Sequence, residues 1–179
     1  MDRAAPLALN DWAVLGVLVE HERHGFAVAR ELAADGPLGR VWTVPRPLVY
    51  RAIDHLVALE LVEPIRTEAG AQGPRRTIMR ATRAGRAGLG AWLATPVAHL
   101  REVRSELLLK MTLLQRRGTS LVELAEHQLA AFRPLVDGLA MTAHGDVSAA
   151  PVADLWRAET SRSVERFLVA VAQSNDSSR

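Results

Sequence analysis

The chain has 179 residues, 49% hydrophobic and 23% charged, with a net charge of +2; this composition excludes a disordered polymer and allows one domain or two small ones. It has no cysteine, which excludes disulfide staples, thiolate zinc sites and cysteine nucleophiles. No apolar run approaches the roughly 20 residues of a membrane span, and the opening MDRAAPLALND is a poor signal peptide, so a cytoplasmic protein without a membrane partner is expected.

The first helix is expected over about 11–21, with Asn10 as N-cap, Asp11 in the first turn, and Trp12, Leu15, Leu18 and Val19 facing a core. A second helix begins near Gly25, carries Phe26, Ala29, Leu32 and Ala33 on one side, and stops at Gly36-Pro37. Residues 36–45 form a connecting loop with a short extended piece at 41–44. The third helix starts in Pro45-Arg46-Pro47, since proline is tolerated in a first turn. It turns Leu48, Ala52, Ile53, Leu56 and Leu59 inward and Arg46, Tyr50, Arg51, Asp54 and His55 outward. A strand at 61–66 follows, marked as an edge by Pro64. Residues 68–74 supply turn chemistry, 75–82 return as a strand, and Thr82 caps a helix through Leu93 with Leu89, Trp92 and Leu93 as its contacts.

Beyond Thr95-Pro96 the pattern is purely helical. One long helix is expected over 97–117, with Val103, Leu107, Met111 and Leu114 as its stripe, widened by Leu100, Leu108 and Leu113. Gly118 ends it and Thr119 or Ser120 caps the next helix, 121–143, which Pro134 should kink or split. A loop at 144–151 leads to a last helix over 152–172, with Leu155, Trp156, Val164, Phe167, Leu168 and Val171 inward. The fold class is therefore mainly α: a winged helix-turn-helix with a two-stranded wing over 1–95, a helical dimerisation domain over 96–174, and a disordered tail over 175–179.

Arginine is concentrated where that wing lies. Residues 40–86 hold nine arginines against four acids, whereas 97–179 balance at ten basic and ten acidic residues. Such a local excess suits a phosphate-binding surface. There is no Gly-rich phosphate loop, no Gly-x-Ser-x-Gly elbow and no His-Glu-x-x-His, so no enzyme, catalytic residue or cofactor is expected. His21, Glu22 and His24 lie at a helix end without a further ligand set, so they read as capping or solvated groups and not as a metal site.

Residues 7–93 resemble the PadR family of bacterial transcriptional regulators. The likeness is carried by LALNDWAVLGVLVEHERHGFAVARELA with its His24-Gly25-Phe26 triplet, by PLVYRAIDHLVALELVEP with Tyr50, and by GPRRTIMRATRAGRAGLGAWL with Thr82-Arg83-Ala84-Gly85. The resemblance implies a homodimeric repressor of double-stranded DNA at palindromic operators, released in some members by a small-molecule effector. The stretch REVRSELLLKMTLL is similar to the C-terminal dimerisation region of one subgroup. Two departures stand out: Val44-Pro45-Arg46-Pro47 replaces small residues before the recognition helix, and Ile78 and Met79 replace return-strand aromatics.

On this reading the DNA-contacting residues are Thr43, Arg46, Pro47, Tyr50, Arg51, Gly73, Arg75 and Arg76. Val103, Leu107, Met111, Leu114, Trp156 and Phe167 are the candidate dimer interface, and Trp12 and Trp92 the candidate effector contacts. The rival function is a winged helix used for protein docking without specific DNA binding, and activation rather than repression stays open.

Overall fold

A computed structural model describes residues 7–70, 73–142 and 151–174. Most of the 144–151 loop and the 175–179 tail lie outside the described residues. The chain divides into two compact units, Met1–Trp92 and Leu93–Arg179.

The N-terminal unit is a winged helix-turn-helix. Its elements are α1 (Leu9–Glu20), β1 (Arg23–His24), α2 (Gly25–Glu31), α3 (Arg46–Ala58), β2 (Val62–Gly70), β3 (Gly73–Ala81) and α4 (Arg83–Ala94). Every residue from Ala13 to Val19 is buried, because α1 packs against α2, α3 and β3 together. Only a helix enclosed on all sides dispenses with a polar face. Asn10 is not the N-cap. Ala8 holds that place, and the Asp11 carboxylate accepts the Ala8 N–H at 2.9 Å. The Asn10 carbonyl is engaged elsewhere, accepting the Trp42 indole N–H at 2.8 Å and tying the 36–45 loop to α1.

The two-stranded wing, β2 with β3, is joined by a short third strand among the described residues, giving the order β1-β3-β2. β1 pairs Arg23 with Met79 and His24 with Ile78, and the wing pairs run from Val62↔Ala81 to Gly70↔Gly73. β2 is an edge strand, which accommodates Pro64, a residue with no N–H to donate to a second neighbour. Thr82 closes the wing twice: its hydroxyl donates to the Glu60 carbonyl at 2.8 Å and accepts the Gly85 N–H at 3.1 Å, capping α4.

The C-terminal unit is helical. Its first run is a 3-10 turn (Leu100–Glu102), a π turn (Val103–Leu107) and α5 (Leu108–Arg116), so the 97–117 helix is shorter and less regular than its apolar stripe implies. Gly118, at φ 65°, ends α5 in the left-handed region that glycine reaches without steric cost. α6 (Val122–Thr142) runs through Pro134 as one element, and α7 (Val152–Gln173) pairs with it. The core joins Val97, Val103, Leu107, Met111, Leu124, Ala125, Phe132 and Leu168. Three polar side chains of this unit are buried with partners among the described residues: Ser161 donates to the Ala158 carbonyl at 2.9 Å, and Gln128 and Lys110 reach further. Gln128 accepts the Val97 N–H at 2.7 Å and donates to the Val97 carbonyl at 3.0 Å. Lys110 donates to the Thr95 carbonyl at 2.7 Å and pairs with Glu106 at 2.7 Å. None of the described helices is long and apolar enough to cross a membrane.

Candidate nucleic-acid interface

α3 has a buried and an open side. Val49, Ala52, Ile53 and Leu56 are buried, while Arg46, Pro47, Tyr50 and Arg51 are exposed. Pro45 is the N-cap and Pro47 falls in the first turn, where an N–H would lack a partner anyway. His55 departs from its expected place on the polar front: its Nδ1 donates to the Asp11 carboxylate at 3.0 Å, locking α3 onto α1.

The open side of α3 faces the wing across a cavity of about 490 Å³ lined by His24, Phe26, Arg46, Tyr50, Arg75 and Arg76, among others. Phe26 lies between arginines of that lining. The Arg46 guanidinium lies 5.1 Å from the Phe26 ring centroid and 5.7 Å from that of Tyr50, and Arg76 lies 6.0 Å from Phe26. One exposed ring thus gathers an arginine from the helix and another from the wing, as cation–π attraction favours. A side chain at Gly25 would obstruct this arrangement, since its Cβ would come 2.8 Å from a Tyr50 ring carbon.

The arginines of this unit fall into two groups. Arg66 pairs with Glu22 and Glu68 at 2.9 and 2.8 Å, and Arg80 with Glu63 and Glu22 at 2.8 and 3.7 Å. Hydrogen bonds that Arg66 donates to Glu22 and then to Glu68 hold it above the usual guanidinium range, and donation to Glu63 does the same for Arg80. Arg46, Arg75 and Arg76 have no carboxylate partner among the described residues. Their charge is available to a ligand.

The structure therefore brings Arg46, Tyr50, Arg75 and Arg76 together around one cavity. Arg51 and Pro47 are exposed on the same helix but do not line it, and Thr43 donates its hydroxyl to the Gly39 carbonyl at 2.7 Å in the preceding loop. Gly73 opens β3 opposite Gly70. Sequence reasoning missed Phe26 as a site residue, grouping it on one side of the helix with Ala29 and Leu32, which are buried while Phe26 is 41% exposed. It also left His24 as a capping or solvated group, whereas the ring both caps α2, its Nδ1 accepting the Ala27 N–H at 3.0 Å, and lines the cavity.

Residues 14–91 match the sequence model of the transcriptional regulator PadR-like family. The N-terminal unit is a PadR-like domain. No curated protein sequence matches the chain. Solved structures similar to it include Bacillus subtilis PadR in complex with operator DNA, at 18% identity over 93% of this chain and 99% of that one, with a TM-score of 0.49. Others are B. subtilis PadR with p-coumaric acid (16% identity, 97% and 99% covered, TM-score 0.42) and the Vibrio cholerae virulence activator AphA (19%, 95% and 95%, 0.38). In this PadR-like domain Trp12 and Trp92 stack on each other, with centroids 4.9 Å apart and planes 6° from parallel, so each spends a ring face on the other.

The candidate interface residues of the C-terminal unit divide. Val103, Leu107 and Met111 are buried inside their own unit and Leu114 packs against that core. Trp156 and Phe167, expected inward, are 72% and 39% exposed. α7 buries Ala158, Ser161 and Leu168 instead, and at about 100° per residue Trp156 and Phe167 fall on roughly the opposite side of the helix. With Leu100, Val103, Leu108 and Val164 they line an open, mainly apolar groove of about 560 Å³.

Proposed function

We propose that this chain is a sequence-specific DNA-binding transcription regulator, acting as a homodimeric repressor at a palindromic operator and released by a small-molecule effector. The observation that carries the DNA-binding part is the convergence of Arg46, Arg75 and Arg76, none with a carboxylate partner among the described residues, where α3 meets the wing of a PadR-like domain. α3 lies in the major groove on this reading, with Arg46 at a base edge or phosphate near its N-terminus, Arg51 on a flanking phosphate, and Arg75 and Arg76 positioning the wing. Thr43, Pro47, Tyr50 and Gly73 complete the contact surface.

The dimer part is supported by the groove under Trp156 and Phe167, a large apolar surface that a second copy would cover. A unit this small reads few base pairs, so two-fold pairing supplies the specificity that one copy lacks.

The test is a titration against labelled duplex from upstream of the chain's own gene, at several salt concentrations, with scrambled duplex as competitor. Binding that scrambled DNA does not displace, with log affinity falling against log salt at a slope of about −5 to −7 for six to eight phosphates per dimer, is the expected result. No affinity for either duplex at low salt overturns it and leaves protein docking as the use of the fold. Sedimentation of the Trp156→Ser/Phe167→Ser variant tests the dimer: a monomer is expected, and an unchanged dimer places the interface elsewhere.

A further inference from the structure

The His24 ring carries information beyond its position. A backbone N–H can only donate, so the Ala27 N–H at 3.0 Å fixes His24 Nδ1 as an acceptor. In a neutral imidazole the other nitrogen then bears the hydrogen. His24 Nε2 lies 3.4 Å from Arg76 Nη1, a group that also only donates. The two are therefore not hydrogen-bonded to each other. They are two donors side by side at the wall of one cavity, with the Arg46 guanidinium against the same Phe26 ring.

Facing donors are unfavourable alone and become favourable when an oxyanion accepts from both. We propose that His24, Arg76 and Arg46 form a binding site for one phosphate group, with His24 Nε2–H and the Arg76 guanidinium as paired donors. Phe26 holds both arginines beside it, their guanidinium carbons 5.1 and 6.0 Å from its ring centroid, without taking up any of their N–H groups in a hydrogen bond. The source is either a backbone phosphate of duplex DNA or a free phosphate. Only the first rests on the DNA-binding reading above.

The imidazole nitrogen–proton correlations of the full chain decide this, read while inorganic phosphate and, separately, a short duplex of arbitrary sequence are titrated at low salt. The free protein is expected to show His24 with its hydrogen on Nε2, and an Nδ1–H form overturns the proposal. Either probe should then shift the Nε2 signal saturably, and Arg76→Ala should abolish the shift. A response to duplex assigns the site to the DNA backbone, and a response to phosphate alone assigns it to a small anion. No shift with either probe overturns the site, while absence of any duplex binding by anisotropy fails the DNA reading and leaves the phosphate arm to judge the cavity.

Two variants separate anion binding from folding. His24→Asn keeps an acceptor for the Ala27 N–H, because asparagine is a good N-cap, but removes the far donor. It should melt like the parent and bind the responding probe about five- to tenfold more weakly. His24→Gln places an amide N–H near the Nε2 position and loses the cap, so it should melt lower and bind within about twofold of the parent. Parent-like binding in His24→Asn overturns the proposal.

Discussion

Arg66 and Arg80 lie on the same hairpin as Arg75 and Arg76, yet the two pairs have opposite fates. The first pair is tied up by Glu22, Glu63 and Glu68. The second, with Arg46 from α3, has no acidic partner among the described residues and lines a cavity with aromatic walls. Charge counted along the sequence thus overstates what the surface offers. Glu22 lies outside the 40–86 window, but the fold delivers it to the wing and cancels part of the excess.

The sharpest way to break this contrast is to delete the pairs separately. At about 150 mM salt, where charges beyond about 8 Å are largely screened, Arg46→Ala/Arg76→Ala should weaken duplex affinity by about 30- to 100-fold, and Arg66→Ala/Arg80→Ala by less than about threefold. Equal losses, measured by anisotropy, would show that summed charge matters and its placement does not.

Next in size is Gly25→Ala. The new methyl would meet Tyr50 at 2.8 Å and Ile53 at 3.3 Å. Displacing the Tyr50 ring disturbs one side of Arg46, so an affinity loss of about fivefold is expected with about 1–2 kcal/mol of stability lost by overpacking. Denaturant melts beside the titration separate the two. Phe26→Leu should cost about threefold in affinity, because an apolar residue remains but the π face does not. The smallest effect runs the other way. Glu22→Gln/Glu63→Gln removes two of the carboxylates holding Arg66 and Arg80, so affinity for arbitrary duplex should rise about two- to threefold. The salt slope should also steepen, by roughly 0.9 for each arginine that reaches a phosphate.

The winged helix was legible because its parts carried local signals, the proline-started third helix and Thr82 as a cap, whereas the stretch 68–74 expected as a turn is mostly strand, with β2 running to Gly70 and β3 starting at Gly73. β1 was not legible, since two residues cannot show an alternation, and pairing with Met79 and Ile78 is a property of the assembled sheet. Phe26 was misplaced by letting its hydrophobicity outrank its angle. Val28, Ala29 and Leu32 are the buried stripe of α2, and at about 100° per residue Phe26 stands roughly 110° from its centre. α7 misled in the same way. Its large apolar side chains drew attention from the small Ala158 and Ser161, which α7 buries instead. The cavity residues Arg46, Tyr50, Arg75 and Arg76 were readable as a set, but Phe26 between them was not. A shelf shared by two arginines exists only after the wing folds back beside α3.

Lys110 is the sole lysine of these 179 residues, and it is 1% exposed. Every other cationic side chain that does not titrate near neutral pH is a guanidinium. Acyl donors that neutralise lysine amines have no such target on the cationic surface, so acylation cannot discharge it. The same burial makes the ε-amine an internal clock. Its modification by an amine-reactive label requires that burial to be relieved, and the labelling rate at this one residue would report the opening.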